Sequence, residues 1–171
     1  MTNIYITGAS GTGKTSLANA LSVSLDMPVA VSVARTSPHK MGTYENQRYV
    51  SRAIMNQHVS LDNHIITRTP LDALAFTSVW RYDTHEDRVA SFDFLGSNPI
   101  LIYCPSYWTP EDDGFRPTNP EEQQQVDRVI SEFLEFSGAK YYRALYEPVE
   151  ARCKHTIEFI RKVKQDASIY L

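Results

Sequence analysis

Short apolar runs alternate along the chain with longer segments of helical periodicity. Runs of strand length occupy residues 3–7, 29–33, 64–67, 100–103 and, with a weaker pattern, 139–146. Between them, apolar residues recur every three or four positions, which predicts amphipathic helices. These helical segments cover about 15–25, 44–61, 70–79, 86–95, 120–137 and 149–164. Such alternation is typical of a parallel sheet with helices on both faces. The sequence therefore predicts one α/β domain over residues 1–171, with about five strands.

Two of the predicted helices begin with residues that are typical of a helix N-terminus. Pro70 stands at the start of the third helix, where a missing N–H group costs nothing. Asn119 is followed by Pro120 and, three residues after the cap, by Glu122, and Gly138 ends the same helical pattern. A cap residue, proline at the first helical position and a nearby glutamate are helix-start signals.

Glycines are concentrated before the first predicted helix. Of seven glycines, three fall within residues 8–13, in the segment Gly8–Thr15, which fits G-x-x-x-x-G-K-[ST] at every fixed position. Glycines let backbone N–H groups curl around phosphate oxygens, and the following helix points its positive dipole end at the same anion. Lys14 is expected to reach the β- and γ-phosphates, and the Thr15 hydroxyl to bind Mg²⁺. The predicted nucleotide-binding residues are Gly8, Ala9, Ser10, Gly11, Thr12, Gly13, Lys14, Thr15 and Ser16.

Prolines are concentrated in a second place, with five of the nine lying between residues 99 and 120. The stretch of about 104–119 has no regular pattern, and loops of this length are usually functional. We interpret it as a lid, a plain surface loop being the alternative. An arginine that closes over a transferring phosphoryl group neutralises developing charge, so Arg116 is predicted to be catalytic. Tyr107 and Trp108 are candidates for stacking on a nucleobase acceptor.

Two further arginines follow predicted strands. Arg35 comes after the second strand and Arg68 after the third. Ligands of parallel sheets bind beyond the carboxyl ends of the strands, which is also where the phosphate loop lies. Both arginines are therefore expected to bind phosphates or the acceptor, and Arg68 to take part in catalysis. Surface ion pairs are the alternative for each.

Composition narrows the class of protein. The net charge of −3, from 17 basic and 20 acidic residues, excludes global basicity as a source of nucleic-acid binding. No stretch approaches 18 apolar residues and no secretory-signal pattern is present, so no membrane association is expected. Cys104 and Cys153 match no metal-binding spacing and are expected to be reduced thiols of a cytoplasmic protein.

The motif set also narrows the class of nucleotide-binding protein. A GTPase needs a base-reading Asn-Lys-x-Asp, which the sequence lacks. A motor ATPase needs a strand that ends in Asp-Glu, and no predicted strand ends in this way. The remaining class is that of small kinases in which a lid loop closes on the phosphates.

On these residues the chain resembles phage and bacterial P-loop nucleoside and nucleotide kinases. That group includes deoxynucleotide kinases, nicotinamide riboside kinase-like domains and phage kinases of 5-hydroxymethyl-pyrimidines in DNA. The resemblance rests on Gly8–Thr15, Arg35, Arg68–Asp72 and Asp113–Arg116, and covers nearly the whole chain. It implies a single-domain P-loop kinase fold and the cofactors ATP and Mg²⁺. The implied acceptor is a nucleoside, a nucleotide or modified DNA, and a phage protein of this kind would act in the host cytoplasm.

The chain departs from that group at two strand ends. Ser32 and Thr67 stand where related kinases commonly carry acids that act as general base or orient Mg²⁺. Asp72, one turn into the helix beside Arg68, is the first candidate to supply the carboxylate. The alternatives are Glu45, Asp62, Asp112 and Asp113.

Three functions remain open from the sequence. The favoured one is phosphoryl transfer to the 5-hydroxymethyl group of a pyrimidine in DNA. Transfer to a deoxynucleoside monophosphate, and a catalytically weak ATP-binding module that acts through a partner, are the alternatives. A DNA acceptor needs a local basic edge, since the whole chain is acidic. The candidate edge consists of Arg35, His39, Lys40, Arg48 and Arg52. Oligomeric state is not indicated.

Overall fold

The structure, a computed structural model, describes residues 2–107 and 119–168. The strands are Ile4–Thr7 (β1), Ile65–Ile66 (β2), Ile100–Tyr103 (β3) and Tyr142–Arg143 (β4). The α-helices are Lys14–Leu25 (α1), Tyr44–Ser60 (α2), Pro70–Val79 (α3), His85–Gly96 (α4), Pro120–Ser137 (α5) and Val149–Ser168 (α6). A short 3₁₀ helix spans Val33–Arg35.

The four strands form one parallel sheet in the order β2-β1-β3-β4. Ile4 of β1 pairs with Ile65 of β2 on one side and with Ile100 of β3 on the other. Because all strands are parallel, the loops that follow β1, β2 and β3 leave the sheet at the same edge. The predicted α/β architecture is confirmed, and the sheet places the phosphate loop beside the segments after β2 and β3.

Each face of the sheet is covered by its own set of helices. Side chains alternate along a strand, so Ile4 and Ile6 of β1 point to one face and Tyr5 to the other. On the first face they pack with buried residues of α1 and α6, such as Leu21 and Ile160. The opposite face packs against α3, α4 and α5 through Leu71, Phe94 and Ile130. Both faces are therefore apolar, as a parallel sheet buried on both sides requires.

The prediction of a strand over residues 29–33 is wrong. Only Val29 forms a bridge, with Ile65, and hydrogen bonds link Ala30 N–H to Ile65 O and Ile65 N–H to Pro28 O, each at 2.9 Å. The chain then leaves the sheet, and Val31 is 71% exposed. Its partner β2 is only two residues long, so there is no ladder for a longer strand to extend. The apolar run lies at the edge of the sheet and is only partly buried, with Ala30 and Val33 inside and Val31 outside.

Two helices begin with the same reciprocal cap. At α3, the Thr69 side chain accepts from the Asp72 N–H, and the Asp72 carboxylate accepts from the Thr69 N–H. At α4, Thr84 and Asp87 make the same pair of bonds. The Asp87 carboxylate is also bound by Arg48 of α2, with 2.7 Å between Nη1 and Oδ2. Reciprocal caps satisfy donors that a helix start leaves open.

A polar cluster closes the amino-terminal end of the sheet. The Tyr5 hydroxyl lies 2.9 Å from Nδ1 of His58, and it accepts a hydrogen bond from the Asn3 amide at 3.2 Å. Both rings pack edge-on against Phe94. Burial lowers the pKa of His58 below its usual 6.5, because the apolar surroundings disfavour the charged imidazole.

No helix in the described residues is long and apolar enough to span a membrane.

We predict that His58 makes the fold sensitive to mild acid. The folded chain binds a proton at His58 more weakly than the unfolded chain does, so its stabilisation is complete above the unfolded pKa and is lost as pH falls below it. The melting temperature should fall more between about pH 7.5 and 5.5 in the natural protein than in His58→Gln, which keeps an acceptor for Tyr5. Equal decreases in the two proteins would refute this role.

Candidate active site at the phosphate loop

The phosphate loop has the backbone that its glycines permit. Gly8, Gly11 and Gly13 have φ angles of 147°, 73° and 78°, in the region that side chains disfavour. Gly13 is the N-cap of α1, and no side chain caps this helix start. The first N–H groups of α1 are therefore left for a ligand, and they carry the positive end of the helix dipole.

Gly8 is required by a close backbone approach as well as by its φ angle. A Cβ at this position would lie 2.3 Å from the carbonyl oxygen of Cys104, the residue that follows β3. The same residue donates its N–H to Thr7 O at 2.9 Å, continuing the β1–β3 ladder. The loop therefore leaves β1 directly against the end of β3, where no side chain fits.

The buried carboxylate of Asp72 joins this loop to the start of α3. Its Oδ1 accepts from the Gly8 N–H at 3.1 Å, and its Oδ2 accepts from the N–H and hydroxyl of Thr69 at 2.8 and 2.6 Å. Arg68 Nη1 lies 3.8 Å from Oδ1. Both oxygens are thus engaged inside the protein, in an arrangement that fixes the loop and the helix relative to each other.

Lys14 folds back over the loop. Its ammonium group donates to Gly8 O at 2.6 Å and to Ala9 O, and the residue is only 7% exposed. Thr15 lines the cavity in the first turn of α1. The motif therefore has one cation and one hydroxyl-bearing residue at the N-terminus of a helix.

A cavity of about 700 Å³ extends from this loop. One end is formed by residues 10–16 together with Glu147, Pro148, Val149 and Arg152, around the start of α6. The other end lies between the 3₁₀ helix, α2 and α3. It is lined there by Ser32, Ala34, Arg35, Met41, Asn46, Gln47, Val50, Ile54, Thr67, Arg68, Asp72, Ala73, Phe76 and Trp80. Both ends belong to one cavity, so two ligands bound in it can lie next to each other.

Charge in the cavity has the opposite sign to the chain as a whole. Among the described residues, its cations are Lys14, Arg35, Arg68 and Arg152, and its carboxylates are Asp72 and Glu147. One of those two carboxylates, Asp72, is fully buried and hydrogen-bonded. A concave surface with excess positive charge attracts polyanions.

The end of the cavity formed by α2 combines amides with an apolar wall. Asn46 and Gln47 are 6% and 8% exposed, and neither side chain hydrogen-bonds to another described residue. Their amide atoms are not among the described side-chain atoms that are buried without a partner, and both residues line the cavity, so the amides are suited to a ligand with donor and acceptor groups. The wall contains Phe76 and Trp80, and the Arg68 guanidinium lies 5.0 Å from the Phe76 ring centroid.

The structure brings most of the predicted site residues together. Residues 10–16 of the phosphate loop line the cavity with Arg35, Arg68 and Asp72, and so do Ser32, the N-cap of the 3₁₀ helix, and Thr67, which follows β2. Gly8 and Ala9 support the loop from β1. Among the candidate carboxylates, Glu45 and Asp62 do not line the cavity. Asp112 and Asp113 lie outside the described residues.

The predicted lid falls mostly on residues that the structure does not describe, including Trp108 and Arg116. Tyr107, at its start, does not line the cavity. It hydrogen-bonds to Arg143 of β4, and its ring centroid lies 5.6 Å from that of Tyr146. Its side chain thus contacts the far edge of the sheet.

Asn46, Gln47, Phe76, Trp80, Glu147 and Arg152 were not among the residues expected from the sequence. The amides and rings lie on helices whose patterns look ordinary, and Arg152 is on a helix more than a hundred residues from the phosphate loop. The one sequence signal was the presence of two adjacent amides, Asn46 and Gln47, within the buried stripe of an otherwise amphipathic helix.

A matched pair of substitutions tests the role of Asp72. Asp72→Asn and Asp87→Asn each disrupt a reciprocal cap, and each should lower the free energy of unfolding by about 1–3 kcal/mol. Only Asp72 also binds the Gly8 N–H, so only Asp72→Asn should weaken binding of a nucleoside triphosphate. Calorimetry would give both quantities. Equal triphosphate affinity in the two variants would contradict the link to the phosphate loop.

Solved structures of several kinases share this architecture. The deoxyadenosine kinase of M. mycoides, with dCMP and a flexible dCDP bound, is 17% identical with a TM-score of 0.70, over 94% of this chain and 99% of that one. Thymidylate kinase from Candida albicans is 14% identical with a TM-score of 0.67, over 95% of this chain and 92% of that one. Shikimate kinase from Acinetobacter baumannii, in complex with shikimate, is 15% identical with a TM-score of 0.63, over 97% of this chain and 94% of that one. The fold is that of P-loop kinases.

Sequence comparisons identify the family. Among curated protein sequences, none matches the chain significantly. A family model described as an AAA domain, AAA_28, matches residues 3–152, which begin just before β1, include the phosphate loop and end in the first turn of α6. Since this range covers most of the chain, the protein belongs to the AAA_28 family of P-loop domains.

Proposed function

We propose that the protein is an ATP-dependent kinase that transfers the γ-phosphoryl group to a nucleoside or nucleotide. The observation that carries this proposal is the single cavity, with a phosphate loop at one end and two buried amides, Asn46 and Gln47, at the other. ATP fits the first end and a base-bearing acceptor the second. The excess of cations between them suits the charge of the transferring group.

At the ATP end, the loop N–H groups and Lys14 bind the β- and γ-phosphates. Mg²⁺ is usually held by a small number of protein oxygens together with substrate phosphates, and Thr15, which lines the cavity, carries a hydroxyl of the kind that binds Mg²⁺ in phosphate loops. When bound, Mg²⁺ neutralises charge on the β- and γ-phosphate oxygens. Asp72 is too fully engaged with Gly8 and Thr69 to serve this role as it stands, and we assign it the task of holding the loop.

At the acceptor end, the amides of Asn46 and Gln47 can pair with the donor and acceptor edge of a base. Amide side chains form such paired hydrogen bonds with base edges in general. The rings of Phe76 and Trp80 offer flat apolar surface on which a base packs. An acceptor without a base would leave the two amides buried without partners, at a cost in binding.

Transfer itself depends on positioning and charge. Arg35 and Arg68 line the cavity on the acceptor side of the phosphate loop, where they can hold the γ-phosphate or an acceptor phosphate. Phosphoryl transfer needs little covalent help from the protein, so a strong base is not essential. This is consistent with Ser32 and Thr67, which carry no carboxylate. We retain Arg116 as the lid arginine in this proposal.

Within this class, we propose a 5-hydroxymethyl-pyrimidine as the acceptor, free or in DNA. The support is the sequence resemblance and the lack of acids at Ser32 and Thr67, since a primary alcohol is a simple acceptor. Within the candidate basic edge for DNA, Arg48 is paired with Asp87, which lowers the positive charge that this edge offers to DNA phosphates. A deoxynucleoside monophosphate is the second candidate, favoured by Arg35 and Arg68, which suit an acceptor that carries its own phosphate.

A transfer screen with γ-labelled ATP tests the function. Acceptors should include deoxynucleosides, their monophosphates, plain DNA, and DNA or nucleotides with 5-hydroxymethyl bases. Label is expected in a pyrimidine acceptor, and Lys14→Met should abolish the transfer while the protein stays folded, because the phosphates lose their cation. Persistent activity in Lys14→Met would refute the assignment of the loop. Bound ATP without transfer to any acceptor would instead favour an ATP-binding module that acts through a partner.

The acceptor end is tested separately with Asn46→Leu and Gln47→Met. Each should raise the acceptor KM by about tenfold or more, since a paired amide contributes about 1–3 kcal/mol to base discrimination. The KM for ATP should not change, because neither residue faces the phosphate loop end. Asn56→Leu is the matched control, on the exposed side of the same helix. An unchanged acceptor KM in both cavity variants would remove the base-reading role.

A further inference from the structure

Arg152 is a buried cation that the sequence did not connect with the phosphate loop. It lies in the first turn of α6, is only 3% exposed, and lines the cavity beside Pro148 and Val149. Its Nη2 lies 3.4 Å from the carbonyl oxygen of Thr12, within the loop. Burial of an arginine is costly unless its charge and donors are used. The loop is therefore in direct contact with a cation from the other end of the chain.

The contact with Gly13 is closer still. A Cβ on Gly13 would lie 2.8 Å from Nη1 of Arg152. Nη1 of the guanidinium therefore points at the glycine that caps α1, and a side chain at this position would displace it. Gly13 has a φ of 78°, so its lack of a side chain serves both the turn and the contact with Arg152.

Cys104 shows that two positive charges reach the same place. Burial raises the pKa of the Cys104 thiol to about 11, and the charges of Arg152 and Lys14 act in the opposite direction. Lys14 comes from α1 and Arg152 from α6, yet both lie within electrostatic reach of one sulfur atom beside the loop. The positive potential at the loop is thus shared between two elements.

We infer that Arg152 is a positioning residue of the nucleotide site, which holds the Thr12–Gly13 peptide from α6 and adds a second positive charge to the one on Lys14. Arg152 therefore strengthens the binding of the phosphates of the nucleotide. The inference rests on the proposed nucleotide site and is independent of the acceptor. It also gives α6 a role beyond packing, since the helix that covers one face of the sheet keeps the phosphate loop in its binding conformation.

Equilibrium binding of ATP, ADP and adenosine to the full chain tests this inference. Arg152→Met removes the charge and keeps the length of the side chain. It should weaken ATP and ADP binding about tenfold to a hundredfold, as loss of a charge-assisted contact does, and leave adenosine binding unchanged. Arg152→Lys should recover at least half of the loss on a logarithmic scale. Arg161→Met, on an exposed part of the same helix, is the control and should bind all three ligands normally.

Several results would overturn the inference. The first is that Arg152→Met binds ATP as tightly as the natural protein, and the second is that it loses adenosine binding as much as ATP binding. The third is that Arg152→Lys binds ATP no better than Arg152→Met. The fourth is that the natural protein binds neither ATP nor ADP. If Arg152→Met fails to fold, Arg152→Gln replaces it, since glutamine keeps a donor for Thr12 O without the charge. We expect this variant also to bind ATP and ADP more weakly and adenosine normally. Because the measurement is of binding, a protein that binds ATP but transfers no phosphate still decides the role of Arg152.

Discussion

The buried carboxylate of Asp72 holds the start of α3 and the phosphate loop in one hydrogen-bonded unit. One oxygen accepts from Gly8, at the end of β1, and the other from Thr69, just after β2. These two segments meet because β1 and β2 are neighbours in a parallel sheet. The strand order therefore helps to fix the shape of the loop, because it brings the Asp72 carboxylate within reach of the Gly8 N–H. A change in the register of β2 would move the acceptor away from Gly8 and open the loop.

The second feature on which the site depends is the positive charge of its cavity. An acidic chain gathers four cations around one cavity, and they come from α1, the 3₁₀ helix, the segment after β2, and α6. A concave surface with an excess of positive charge attracts phosphates and other polyanions.

Local features could be read from the sequence, and contacts between distant segments could not. The loop Gly8–Thr15 and the strand Ile100–Tyr103 were predicted correctly because glycine spacing and a buried apolar run are local signals. The run at 29–33 misled because hydrophobicity does not reveal how long the neighbouring strand is. Arg152 reaches the loop only through the packing of α6 on α1, which no spacing in the sequence encodes. Asn46 and Gln47 became candidates only when burial and the cavity were known.

The two edges of the sheet are short. On one side the last strand, β4, pairs through two residues, and on the other a single bridge at Val29 follows β2. Exposed edge strands offer rows of open N–H and C=O groups to which another chain can add. Here each edge offers little more than one such pair. The same shortness that leaves most of residues 29–33 outside the sheet thus limits edge-to-edge pairing with another chain.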